Sequence, residues 1–292
     1  MNFPSLIFLD GGSPEEAKKA DELLKNSGHP GIQGQTTNPS LIARSALKKL
    51  KFHGSPRVYL RTSEALAFYR QTVEEMAGIL AGPISVQVIG DTDTSYKEYL
   101  RQGQEILTWI PNAVVKFPCT YEGLKAASIA CHHGPVNMTL AFSQTQAAAV
   151  YTATRNSKHP VYISPFVGRL DDQGLNGMAL VANILRMYRS LGDGHVKVIA
   201  ASIRRIDHII YAISLACDII SIPFSVLTAW VNLGFPVPHQ DFVYDTHHLI
   251  DIPYVNLLLT RDYLEYAYDH EMTFSGVSAF FADWQKALGK SK

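Results

Sequence analysis

Eight short runs of apolar, mostly β-branched residues recur along this chain, and the stretches between them carry helix start and stop signals rather than hairpin turns. The runs are LIFLD from Leu6, GIQGQTTN from Gly31, ISVQVIG from Ile84 and AVVKFPC from Ala113, then PVNMTLA from Pro135, VYISPFVG from Val161, HVKVIAAS from His195 and IISIPFS from Ile219. Strands joined through helices run parallel, and eight parallel strands close on themselves. The expected fold is therefore α/β, a single-domain (β/α)8 TIM barrel with a C-terminal helical extension. An open doubly wound sheet is the alternative, but no G-x-G-x-x-G follows any of the runs.

Local signals mark the helices. Ser13-Pro14-Glu15-Glu16 supplies a capping serine, a proline at the first helical position and a glutamate three residues on, and Gly28 ends that helix. Asn38-Pro39 opens a second helix in the same way, Ser143 with Gln146 reads as a capping box, and Ser225 is placed to cap the helix after the last run. No Pro/Gly/Ser linker, low-complexity tract or short-period repeat divides the 292 residues, so one domain over 1–292 is expected. Its least regular part is 233–292, a long loop or extra helix to about Thr260 and then an amphipathic helical tail.

Charge and cysteine usage exclude several roles. Lysine plus arginine, 26, equals aspartate plus glutamate, 26, so the chain lacks the broad positive field of a nucleic-acid binder and any anion site is local. Cys119, Cys131 and Cys217 stand singly in apolar segments without C-x-x-C spacing, as buried thiols of a reducing compartment do. The apolar part of MNFPSLIFLDGG is too short for a signal sequence and no cation precedes it, which points to the cytoplasm. The uncharged span Ile219 to Pro238 is long enough for a membrane, but two internal prolines, an asparagine and a glycine interrupt it. It reads as a buried strand and a buried helix. His132-His133 and His247-His248 are adjacent pairs without ligand spacing, so neither a metal nor another cofactor is expected.

The fourth run holds a lysine at its centre, in VVKFPCTYEGL from Val114. An unpaired buried ammonium is costly and tends to lose its proton. An inward Lys116 with a lowered pKa becomes a free amine, a nucleophile that forms Schiff bases with ketones. Barrel enzymes carry their chemistry at the C-terminal strand ends. Those ends bear Asp10, then Thr36-Thr37-Asn38, Gln87, Lys116, Asn137 with Thr139 on one face, Ser164 followed by Arg169, and Ser202 followed by Arg204 and Arg205. Each alone has an ordinary explanation: Asn38 as a helix cap, the hydroxyls as satisfied core groups, the arginines as surface charges. Lys116 is the residue that lacks one.

Several segments together resemble the transaldolases and their relatives the fructose-6-phosphate aldolases, class I Schiff-base barrels. GQTTNPSLIA resembles the family's G-x-T-T-N-P-S-L signature, and VVKFPCTYEGLKA its lysine segment. VNMTLAFSQTQAAAVY, YISPFVGRLDD and AASIRR resemble the strand-five, strand-six and strand-seven segments, while FFADWQKALGK is similar to the end of the aldolase branch. The resemblance implies that Lys116 is the Schiff-base lysine and Asp10 the proton-transfer carboxylate of carbon–carbon cleavage. It implies that Asn38, Asn137 and Ser164 hold dihydroxyacetone hydroxyls, that Thr139 and Gln87 hold a proton-relaying water, and that Arg169, Ser202 and Arg204 bind the sugar phosphate. Two arginines and a hydroxyl also suit a phosphate on chemical grounds.

The chain departs from both branches. Gln87 stands where transaldolases carry a glutamate and resembles the aldolases, whereas Phe166 resembles the transaldolases, since aldolases place a tyrosine there. Asn137 and Arg204 are transaldolase-like, and Arg205 replaces their usual asparagine. Glutamine cannot exchange a proton as a carboxylate does, and Phe166 lacks a phenol to protonate the bound fragment. The resemblance thus favours transfer of a dihydroxyacetone unit between sugar phosphates over its release by an aldolase-like lyase. A sugar-phosphate-binding barrel without catalysis is a third reading, with no use for the amine. Phe280, Phe281 and Trp284 in the tail imply ordinary packing, a lid, or the contact of a homo-oligomer.

Overall fold

The eight apolar runs all become strands of one closed barrel. A computed structural model describes residues 3–52, 59–239, 241–246 and 248–290. The strands in them are β1 (Leu6–Asp10), β2 (Gly34–Thr36), β3 (Ile84–Gln87), β4 (Ala113–Pro118), β5 (Val136–Ala141), β6 (Val161–Pro165), β7 (Leu175–Asn176), β8 (Val196–Ala200), β9 (Ile219–Pro223) and β10 (Ile250–Asp251). All but β7 and β10 form the barrel in chain order, each pair parallel, with β9 returning to β1 from Leu6↔Ile219 to Asp10↔Pro223. Helices cover the outside and side chains fill the inside, so β4 and β5 are buried at every residue. That is why these strands read as continuous apolar runs.

The helices are α1 (Pro14–Asn26), α2 (Pro39–Phe52), α3 (Thr62–Ala77), α4 (Tyr96–Ile106), α5 (Tyr121–Ala130), α6 (Gln144–Ala153), α7 (Val167–Asp171), α8 (Gly177–Leu191), α9 (Ile206–Ser214), α10 (Phe224–Asn232) and α11 (Glu271–Ala287). Ser13 caps α1, with Pro14 its first residue and Gly28 at φ +81° beyond its end. Ser143 and Gln146 form the reciprocal box at α6. Ser225 does not cap α10. The chain passes from β9 straight into that helix, so Pro223 takes the cap position and Ser225 lies in the first turn. Ile219 to Pro238 therefore divides into a strand, a nine-residue helix and a non-helical end, and no described helix is long and apolar enough to cross a membrane. His247 lies outside the described residues.

After α10 the described chain has no regular element until α11, apart from β10, which pairs with β7, and a 3-10 turn at Tyr263–Glu265. The segment lies across the outer helices: Gln144 exchanges two hydrogen bonds with the Val255 backbone, and Asn183 Nδ2 donates to the Ile252 carbonyl at 2.8 Å. α11 then crosses the C-terminal mouth of the barrel. Its fully buried Thr273 donates to the Leu140 carbonyl at 2.8 Å, where β5 bulges, and accepts from Gln146 Nε2 at 2.8 Å. Further along, the Trp284 ring lies 5.9 Å from Tyr69 and the Ala287 carbonyl accepts from Leu60 N–H. The tail thus packs on its own barrel.

Candidate active site

Barrel register decides which side chains meet. Gln87, Lys116 and Asn137 are partners across β3, β4 and β5, and Thr139 and Ser164 are partners across β5 and β6. Partnered residues of a parallel sheet point to the same face. All five lie inside the barrel and are buried. Asn137 is held from both sides, its Nδ2 donating to Ser85 at 3.0 Å and its Oδ1 accepting from Ser164 at 2.9 Å.

Lys116 reaches up from this layer into a cavity of about 310 Å³ at the strand ends. Its amine donates to the Thr37 carbonyl at 3.1 Å. Burial pulls its pKa down to about 8, against the opposing attraction of Asp10. At that value roughly a tenth of the amine is unprotonated at pH 7, against well under a thousandth for an exposed lysine. Asp10 faces the same cavity from β1. Burial raises its pKa, while Lys116 and the Thr36 hydroxyl, which donates to it at 3.0 Å, pull the other way.

The rest of the wall separates into two ends. On one, Asn38 lines the cavity while its Oδ1 caps α2 by accepting the Leu41 N–H at 3.0 Å, so the cap and the site readings both apply. On the other are Phe166, Arg169, Ser202 and Arg204. The Arg169 guanidinium lies 5.6 Å from the Phe166 ring and 5.0 Å from that of Phe280. Burial and the neighbouring Arg204 lower its pKa, yet a guanidinium stays charged in any case. Arg204 is exposed and bonds Asp172 at 3.3 Å. Its path runs over Gly168, where a Cβ would fall 2.3 Å from Arg204 Cγ and 2.5 Å from the Ser202 carbonyl.

The expected residues thus form one cluster, but Gln87, Asn137, Thr139 and Ser164 are its buried floor and not its open wall. Gln87 also borders a separate cavity of about 250 Å³ outside the barrel, where Tyr69 bonds its backbone. Gln87 Oε1 and Thr139 Oγ1 are buried without a hydrogen-bond partner, the condition under which an ordered water is retained. Arg205 lies off the cavity and donates to Tyr244. Sequence reasoning missed Arg44, Asp283 and Ala279, which also line the cavity. Arg44 follows Asn38 and Leu41 at three-residue spacing on one face of α2, a pattern that locates it. Asp283 is placed by α11 crossing the mouth, for which no local signal exists.

A lysine amine, a carboxylate, buried amide and hydroxyl groups and two arginines around one cavity offer a nucleophile, a proton acceptor, hydrogen-bonding groups and an anion site. The family model described as Transaldolase/Fructose-6-phosphate aldolase matches residues 7–291. The chain belongs to this family. Among curated relatives of the transaldolase/fructose-6-phosphate aldolase family, a "Probable transaldolase" of Moorella thermoacetica is 33% identical over 287 residues, 97% of this chain and 99% of that one. One of Anaeromyxobacter dehalogenans is 31% identical over 98% of this chain and 99% of its own length. One of Roseiflexus castenholzii is 37% identical over 76% of this chain and 87% of its own.

Proposed function

We propose that this family member is a transaldolase-type transferase that moves a dihydroxyacetone unit between sugar phosphates through a Schiff base on Lys116. The observation that carries the reading is a buried amine, lowered in pKa, facing the same cavity as Asp10. Unprotonated Lys116 Nζ adds to the C2 carbonyl of a ketose phosphate, and loss of water leaves an iminium. Asp10 takes the C4 hydroxyl proton, the C3–C4 bond breaks, and its electron pair passes into an enamine on Lys116 as the aldose phosphate departs. C3 of the enamine then attacks the carbonyl carbon of an acceptor aldose phosphate, whose oxygen takes the proton back from Asp10. Water hydrolyses the new iminium and frees the lysine.

The other residues have roles consistent with this sequence. Asn38, Asn137 and Ser164 bind the hydroxyls of the three-carbon fragment, and Phe166 packs beside it. Gln87 and Thr139, with their unpartnered oxygens, hold the water that serves imine formation and hydrolysis. Arg169, Ser202 and Arg204 bind the phosphate. Release in place of transfer is the second reading, favoured by Gln87, which stands where a carboxylate is expected of a transferase.

Purified protein given fructose 6-phosphate, with and without erythrose 4-phosphate, tests the proposal. Glyceraldehyde 3-phosphate that appears only with the acceptor supports transfer. Turnover without the acceptor makes the protein a lyase, and no turnover in either case removes both readings for this sugar.

A further inference from the structure

Beneath the arginine end of the cavity lies one histidine that the proposed chemistry does not use. His208, in the first turn of α9, is completely buried. Its Nδ1 accepts the backbone N–H of Arg204 at 3.4 Å, and its Nε2 lies 3.0 Å from Asp171 Oδ2. Asp171 is the last residue of α7, two after Arg169, and its Oδ1 accepts the Gly177 N–H at 3.0 Å at the start of α8. A single imidazole therefore joins the two backbone segments that carry Arg169 and Arg204.

A second contact reaches this histidine from outside the barrel. Arg205 Nε lies 3.2 Å from His208 Nε2, its Nη2 donates to the Tyr244 hydroxyl at 2.9 Å, and its guanidinium lies 5.8 Å from the Tyr244 ring. Tyr244 belongs to the long segment after α10 and is itself fixed by stacking on Tyr211 of α9, with centroids 4.4 Å apart and planes 9° apart. No residue of 233–260 lines the cavity among the described residues. The segment approaches the site from behind, where Tyr244 meets Arg205 and its ring lies 6.2 Å from that of His208.

We infer that His208, Arg205 and Tyr244 are positioning residues for phosphate recognition, through which the segment after α10 sets the geometry of Arg204, Ser202 and Arg169. This rests on the proposed Schiff-base and phosphate roles. Ser202 holds a left-handed backbone, φ +57°, and its carbonyl accepts the Gly168 N–H of α7 at 2.9 Å, so the β8 end is a strained arm that needs support. Tyr211 and His208 supply it from α9, Asp171 from α7, and Tyr244 from the loop. None of the three positioning side chains lines the cavity.

The test is borohydride trapping of the lysine adduct as a function of concentration, with fructose 6-phosphate and, separately, with dihydroxyacetone, which carries no phosphate. Tyr244→Phe removes one hydroxyl at a half-buried position and leaves the ring stack. His208→Gln keeps a donor toward Asp171, and His208→Leu keeps neither contact. Loss of hydrogen bonds around a charged group and a misplaced arm are expected to raise the half-saturating fructose 6-phosphate about tenfold in Tyr244→Phe and more in His208→Leu, with His208→Gln between. Half-saturation by dihydroxyacetone is expected to stay at the parent value. An equal rise for both compounds, or no rise for either in folded Tyr244→Phe, overturns the inference. Absence of any adduct in the parent protein, or parent trapping by fructose 6-phosphate that inorganic phosphate does not inhibit, overturns instead the reading on which it rests.

Discussion

The Thr36 hydroxyl donates to Asp10 Oδ1 at 3.0 Å and lies 2.6 Å from the Ser221 hydroxyl, so the carboxylate proposed to move the proton is tied to both neighbouring strands. With Thr36 donating to Asp10, Ser221 donates to Thr36 and completes a short chain across β9, β2 and β1. A hydrogen bond donated to a carboxylate favours its charged form.

Removing that bond has a predictable sign. Thr36→Val leaves burial, the largest influence on Asp10, less opposed, so the Asp10 pKa rises further. The acid limb of the rate profile for cleavage, which needs the carboxylate, is expected to move to higher pH. A profile of kcat against pH in both proteins checks this, and an unmoved acid limb counts against Asp10 as the base.

Lys116 should cost stability in the pH range where it works. Its folded pKa, about 8, is below the ordinary lysine value, so the charged form prefers the unfolded chain. The penalty is fully present below pH 8 and fades as the pH rises toward the unfolded value, near 10.4. Lys116→Met is therefore expected to be inactive but more stable at pH 7, by on the order of 3 kcal/mol before any cost to Asp10. Denaturant unfolding at pH 7 and above pH 10 should show the advantage disappearing.

The hold of α11 on its own barrel centres on Thr273. Thr273→Val removes a donor to Leu140 and an acceptor for Gln146, leaving buried polar groups unpaired. The expected loss is about 2 kcal/mol in unfolding free energy, with faster amide exchange in the first turns of α11. Because Ala279, Phe280 and Asp283 of this helix line the cavity, the KM for sugar phosphate should rise as well. Unchanged exchange in α11 would show that packing of Phe280 and Trp284 alone fixes the helix.

Much of this architecture is written locally. A barrel strand buried on both faces must be apolar throughout, so eight such runs between capped helices are readable, and a lysine within one stands out. β2 is only three strand residues, Gly34–Thr36, and Asn38 two residues beyond it caps α2. What could not be read are contacts between distant segments. Thr273 meets Leu140 across 133 positions, and Arg205 meets Tyr244 across 39. Neither pair leaves a periodic pattern. The placement of Ser225 failed for a local reason, since no loop residue separates β9 from α10.

The most direct measurement is mass spectrometry of the protein reduced with borohydride in the presence of dihydroxyacetone. The predicted result is one reduced three-carbon adduct, located by peptide mapping on Lys116 and absent from Lys116→Met. An adduct of equal yield in Lys116→Met, or one mapped to another lysine, would contradict the Schiff-base role of the buried amine.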